Sequence, residues 1–179
     1  MNVLIPADDI RRRIDLLARD IAAVYSPHEP VTIVGVLTGC LVFLADLIRR
    51  LDLPLKIELV RASSYRGNAT SPSTLRLQST GPLEIAGKHV LLVDDILDTG
   101  QTITKVVEYL GKLGPRSLRT AVLLRKLGRQ QVPFEPDFCG FEIPDEFVVG
   151  YGLDFNDEYR HLPFIGVLPQ DGAKPVCER

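Results

Sequence analysis

The chain predicts an α/β fold, a mainly parallel, twisted sheet flanked by helices, in a single domain spanning its 179 residues. Two observations carry that prediction. The short apolar runs Val31–Leu37, Val90–Val93 and Ala121–Leu124 read as strands, and Val90–Val93 has the look of a buried central one. Between them lie stretches whose apolar residues recur at steps of three and four. Strands that alternate with helices give a parallel sheet covered on both sides. A chain of this length is enough to bury one such core.

Taken in order, Ile10, Ile14, Leu17, Ile21 and Val24 form the stripe of an amphipathic helix, with Arg11, Arg12 and Arg13 on its solvated face. The strand Val31–Leu37 then ends in the small-residue turn Thr38-Gly39-Cys40. Leu41–Leu51 places Leu44, Leu47, Ile48 and Leu51 on one helical face. In Leu55–Ala62, Leu55, Ile57 and Leu59 alternate with polar residues, as in a strand. Ser63–Pro82 is polar, with room for a short strand at Leu75–Gln78. So long an excursion inside a small domain is a lid, a binding loop or a disordered segment. Val90–Val93 has the composition of a central strand and leads through the loop Asp94–Thr102 into a helix marked by Ile103, Val106, Val107, Leu110 and Leu113. Gly114-Pro115 stops that helix. Ala121–Leu124, Phe138–Phe141, Val148–Tyr151 and Ile165–Leu168 are further strands. Parallel sheets bind ligands at the carboxyl ends of their strands. Thr38–Cys40, Asp94–Thr102 and the segment after Leu124 are therefore the places to look for a site.

Composition excludes several classes. A net charge of -2 provides no global basic field for nucleic acid or an acidic membrane. No apolar run reaches the length of a membrane span. Val3–Ile5 is cut short by Pro6 and lacks the apolar core of a signal peptide, so a cytoplasmic location is expected. Cys40, Cys139 and Cys177 are scattered, with no CxxC pair, and only His28, His89 and His161 accompany them. That pattern supports neither a disulfide framework nor a transition-metal centre.

Chemistry concentrates in Asp94-Asp95-Ile96-Leu97-Asp98-Thr99-Gly100-Gln101-Thr102. A helix that starts here offers unpaired backbone N–H groups, Gly100 allows close approach, and two threonine hydroxyls add donors. These are the parts of an anion site. Three carboxylates beside such a site would repel a phosphate unless the ligand also brought hydroxyls or a divalent cation. A ribose phosphate with Mg²⁺ brings both. The plainer reading, acids that only cap the helix, accounts for one of them or two. Other phosphate motifs do not fit, since the segment lacks the glycine and lysine of a P-loop, and no GxGxxG is present.

Val90–Thr102, VLLVDDILDTGQT, resembles the phosphoribosyl-pyrophosphate motif of the type I phosphoribosyltransferases. Pro136–Asp154, PDFCGFEIPDEFVVGYGLD, is similar to the branch of that family that acts on hypoxanthine and guanine. With Leu37–Gly39 and Ser64-Tyr65, the resemblance covers nearly the whole chain. It implies a sheet-and-helix body with a small hood formed by terminal segments, a flexible lid at about 63–82, and assembly as a homodimer or homotetramer. It also implies transfer of a 5-phosphoribosyl group from phosphoribosyl pyrophosphate to N9 of a 6-oxopurine, with Mg²⁺ as cofactor.

The roles that the resemblance implies follow position by position. Asp94 and Asp95 would hold the ribose hydroxyls and the metal's water shell, and Asp98 would be the acid/base near purine N7. Thr99, Gly100, Gln101 and Thr102 would wrap the 5-phosphate. Lys126 would donate to the exocyclic O6, Phe147 would stack on the base, and Val148 would read its edge through backbone groups. Asp154 would help bind a second Mg²⁺ beside the base, and Arg160 would meet pyrophosphate. Thr38 and Gly39 would form the pyrophosphate loop with its non-proline cis peptide, and Ser64 and Tyr65 would anchor the lid. Read alone, Lys126 is an ordinary surface lysine and Phe147 a core residue. Asp94 stands where the family commonly has glutamate, and Thr38 where it often has lysine or arginine.

Overall fold

The computed structural model describes residues 1–64, 75–79 and 81–168. Its elements are β1 (Asn2–Ile5), α1 (Ala7–Ala22), β2 (Val31–Leu37), α2 (Leu41–Ile48), β3 (Leu55–Ser64), β4 (Leu75–Ser79), β5 (His89–Leu97), α3 (Gln101–Lys112), β6 (Ser117–Lys126), β7 (Phe138–Ile143), β8 (Val148–Val149) and β9 (Ile165–Val167). Six strands form the main sheet in the order β4-β3-β2-β5-β6-β7, parallel except for β4. Every residue of Val90–Val93 is fully buried, as a strand flanked by β2 and β6 and covered on both faces must be. One face packs Ile33, Leu91 and Val93 against Ile10, Ile14 and Leu17 of α1 and Phe43 and Leu47 of α2. The other packs Val34, Leu92 and Val122 against Ile103, Val106 and Leu110 of α3. The predicted fold class is therefore the observed one.

The terminal segments make a second, three-stranded sheet in the order β1-β9-β8, the expected hood. Its β1 was not foreseen, because Asn2–Ile5 is too short for periodicity and its partner β9 lies more than 160 residues away in register (Val3 with Gly166).

Four local expectations need correction. Val24 is 44% exposed, because α1 ends at Ala22 and its stripe stops with it. Arg13 is not on a solvated face: its guanidinium donates to the carbonyls of Gly140 and Cys139, both at 2.7 Å, and so fastens α1 to β7. Ile57 is 46% exposed, since β4 flanks β3 only from Val60 onward and leaves the earlier stretch at the sheet edge. The segment beginning at Asp94 is not yet loop. β5 continues to Leu97, with Asp94, Ile96 and Leu97 in register with Val122, Leu124 and Arg125 of β6. Its carboxylates thus sit on rigid sheet.

Candidate active site

The carboxyl ends of β2 and β5 open into a cavity of about 270 Å³, lined by Gly39, Asp94, Asp95, Asp98, Gly100 and Thr102 among others. α3 starts at the rim of this cavity. Gly100 caps it in the left-handed conformation (φ 81°), where a Cβ would lie 2.2 Å from the carbonyl oxygen of Val132. The loop that carries Val132 is tied down by the Thr99 carbonyl, which accepts the N–H groups of Gln131 and Val132 at 2.9 and 3.1 Å. Thr104 closes the first turn on the Gly100 carbonyl through its N–H (3.2 Å) and its hydroxyl (2.8 Å). The N–H groups of Thr102 and Ile103, earlier in that turn, have no intrahelical acceptor and can meet an anion. Thr102 is exposed at the cavity wall. Gln101 turns its side chain aside to Gln131 (2.6 Å), and its N–H donates to Thr99 Oγ1 (3.4 Å).

Asp94 and Asp95 stand together beneath this helix start. The Asp95 N–H donates to Asp94 Oδ1 (3.0 Å), and the Ile96 N–H donates to Asp95 Oδ1 (2.9 Å). Burial, followed by the charge of Asp95, holds Asp94 well above the usual carboxylate range. Asp95 is also raised by burial, against the opposing pull of its hydrogen bonds and of the Arg160 cation. Such a pair is short of positive charge or of donors. That donor set fits Mg²⁺, which takes one or two protein carboxylates and completes its shell with waters and substrate oxygens. Among the described residues no three His, Cys, Asp or Glu side chains gather to hold an ion by themselves.

Across the cavity, the peptide Leu37–Thr38 is cis and Gly39 presses on Asp95. A Cβ on Gly39 would lie 1.6 Å from Asp95 Oδ2, so only glycine lets this turn approach the carboxylate. Thr38 itself is exposed and is not among the residues lining the cavity, which here are Leu37 and Gly39. The segment after β8 rests on the same turn, with the Cα of Gly152 facing the Gly39 carbonyl. Arg160 belongs to this segment. It donates to the Gly152 carbonyl (2.8 Å) and pairs with Asp154 (2.7 Å) and Asp157 (3.2 Å).

Lys126, at the end of β6, is buried rather than a surface lysine, with 7% exposure. Its Nζ stands 3.6 Å from Asp98 Oδ1 and 3.7 Å from Asp145 Oδ1, outside hydrogen-bond reach of both. Asp98 is paired a second time, with Arg129 Nε 2.7 Å from the same Oδ1. Phe147 is not core: it is 47% exposed and meets Phe155 edge-on at 5.5 Å. Val148 lies on β8, one of the two edge strands of the hood sheet among the described residues. The Leu168 N–H bonds the Phe147 carbonyl (2.9 Å), and Val148 opposes Val167. Hydrogen-bonded and non-bonded pairs alternate in an antiparallel ladder, so the N–H and C=O of Val148 point away from β9. Ser64 ends β3 in register with Leu75, while Tyr65 and most of the expected lid lie outside the described residues.

A family model for the phosphoribosyl transferase domain matches residues 7–156. The chain belongs to the phosphoribosyltransferase family. This phosphoribosyltransferase is 44% identical over 163 residues to a hypoxanthine-guanine phosphoribosyltransferase of Aquifex aeolicus, covering 91% of this chain and 92% of that one. It is 40% identical over 167 residues to the hypoxanthine phosphoribosyltransferase of Escherichia coli, covering 93% and 94% of the two chains. Among solved structures, a hypoxanthine-guanine phosphoribosyltransferase of Bacillus anthracis superposes with a TM-score of 0.85 at 34% identity, covering 93% of this chain and 96% of that one. A variant hypoxanthine phosphoribosyltransferase of Trypanosoma cruzi, in a ternary substrates complex, superposes at 0.87 and 37% identity, covering 95% and 96%. The sequence reading of this phosphoribosyltransferase missed Arg129 and Asp145. Arg129 lies outside the quoted motifs, and Asp145, though within Pro136–Asp154, carries no role there; the fold brings Arg129 to Asp98 and Asp145 to Lys126 and Arg129.

Proposed function

We propose that this phosphoribosyltransferase works in purine salvage, transferring the 5-phosphoribosyl group of phosphoribosyl pyrophosphate to N9 of hypoxanthine or guanine. The observation that carries the reading is the pairing of a buried lysine, Lys126, with a carboxylate, Asp98, at 3.6 Å just before the start of α3. A 6-oxopurine presents the matching pair, a carbonyl at O6 and a proton at N7. An amino group at that position would meet Lys126 donor to donor and be rejected, because a buried donor left unpaired is costly.

In this reading Thr99, Gly100, Gln101 and Thr102 bind the 5-phosphate through the amides at the start of α3. Asp94 and Asp95 accept the ribose hydroxyls. Bond breaking at C1 puts positive charge on the ribose, which these buried carboxylates stabilise, and negative charge on pyrophosphate. Arg160 and the Gly39 turn receive the latter. When the N9–C1 bond forms, the purine gives up its N7 proton to Asp98. Phe147 covers one face of the base, and the free backbone groups of Val148 meet its edge. Mg²⁺, held by Asp94 and Asp95 and a second time near Asp154, would neutralise the pyrophosphate oxygens. Assembly as a homodimer or homotetramer and a cytoplasmic location belong to the same proposal. Among the described residues no helix is long and apolar enough to cross a membrane.

A spectrophotometric assay with phosphoribosyl pyrophosphate, Mg²⁺ and one base at a time tests it. Turnover of hypoxanthine or guanine, with pyrophosphate released, is expected. Turnover of adenine alone would overturn the base assignment.

A further inference from the structure

Two charged residues, Arg129 beside Asp98 and Asp145 beside Lys126, have no role in the transfer described above. Arg129, in the turn after β6, brings Nε to 2.7 Å from Asp98 Oδ1. Its Nη1 meets both carboxylate oxygens of Asp145, at 3.2 and 3.3 Å. Asp145 also stands 3.7 Å from Lys126 Nζ, and Lys126 stands 3.6 Å from Asp98. The four side chains close a ring in which cations and carboxylates alternate.

The ring is asymmetric. Asp98 Oδ1 is buried, and no donor meets it at hydrogen-bond angles, so Arg129 holds it by charge and proximity alone. A proton delivered to that oxygen would face the guanidinium. The oxygen left to take the purine N7 proton is Oδ2. Lys126, out of hydrogen-bond reach of both carboxylates, keeps its N–H donors for O6. Anchoring one carboxylate oxygen fixes the plane of the other, and small errors in such placement are expensive in rate.

We propose that Arg129 is a positioning residue for the transfer, acting through Asp98, and that Asp145 orients Arg129 and spaces Lys126 from Asp98. The inference rests on the reading of Asp98 as the group that takes the N7 proton. Without that reading, Arg129 and Asp145 form a partly exposed ion pair of the kind that contributes little.

The test compares wild type, Arg129→Ala, Arg129→Lys, Asp98→Asn and the double variant Asp98→Asn/Arg129→Ala, each by steady-state kinetics with base and phosphoribosyl pyrophosphate varied separately. Arg129→Ala is expected to lower kcat about tenfold or more, with the KM for phosphoribosyl pyrophosphate within about twofold of wild type. Arg129→Lys should recover part of that loss, since an ammonium can still reach Asp98. In the Asp98→Asn background, Arg129→Ala should cost nothing further, because the group it positions is gone. The inference is overturned by an undiminished kcat in Arg129→Ala, by an equal loss in both backgrounds, or by a matching rise in the KM for phosphoribosyl pyrophosphate. If Arg129→Ala does not fold by circular dichroism, Asp145→Asn takes its place, with a smaller loss expected and the same dependence on Asp98. Wild type that turns over neither hypoxanthine nor guanine would sink the underlying reading instead.

Discussion

Replacing Asp98 with asparagine changes one atom and leaves the shape of the side chain almost intact. The assigned proton transfer is lost, because an amide cannot accept the N7 proton. A positioned acid/base contributes about 10²–10⁴-fold, equivalent to about 2.7–5.4 kcal/mol of barrier. The effect on folding should be far smaller. Asp98 is 37% exposed at its side chain, Arg129 is 46% exposed, and ion pairs so open to water contribute little to stability. A chain of this size loses about 2–4 °C in Tm for each kcal/mol, so a shift within that range is expected. Kinetics with saturating phosphoribosyl pyrophosphate and Mg²⁺, read beside a thermal melt, separate the two effects. The KM for phosphoribosyl pyrophosphate should hardly move, since in the proposed role Asp98 meets the base rather than the phosphate. A kcat within about threefold of wild type, in protein of normal stability, would refute the role given to Asp98.

Lys126→Ala should raise the KM for hypoxanthine at least about tenfold and narrow the preference for hypoxanthine over adenine; an unchanged preference in competition assays would remove Lys126 from base selection. Gly39→Ala should raise the KM for phosphoribosyl pyrophosphate about tenfold or more, because the added methyl lands on Asp95 and must displace it; a normal KM would mean the turn is not part of the site. Asp94→Asn concerns stability in the absence of ligand. Burial raises the folded-state pKa of Asp94, so between the ordinary carboxylate value and the raised one the folded chain keeps a proton that the unfolded chain has lost. Stability therefore falls as pH rises through that window, and the neutral asparagine should flatten this fall in melts recorded above pH 5 or so. A steeper fall in the variant would contradict the burial argument.

Much of the fold was legible because its strands are apolar on both faces. Val31–Leu37 and Val90–Val93 have no alternation to mislead, and the stripe of α3 ends at a recognisable stop, Gly114-Pro115. What escaped was decided at a distance. β1 exists because β9 returns beside it, and Arg13 is drawn from solvent by two carbonyls of β7. The acidic stretch Asp94–Thr102 stood out as composition, but its division did not: Asp94–Leu97 stay in the sheet because β6 is long enough to pair with them. Lys126 and Phe147 contradict what each would do alone. The lysine is buried and the phenylalanine exposed, because the hood and the β6–β7 connection reshape the surface around them. Arg129 and Asp145 lie 31 and 47 positions beyond Asp98, and no spacing rule connects such residues before the chain has folded.

The central claim is that β5 delivers carboxylates to a sugar at the point where α3 offers amides to a phosphate. A crystal structure of the protein with its product nucleotide and Mg²⁺ tests that most directly. The 5-phosphate should lie against the backbone of Thr99–Thr102, the ribose hydroxyls against Asp94 and Asp95, and the base between Lys126 and Phe147. A nucleotide bound with its phosphate away from the start of α3, or with its ribose out of reach of both carboxylates, would contradict the account.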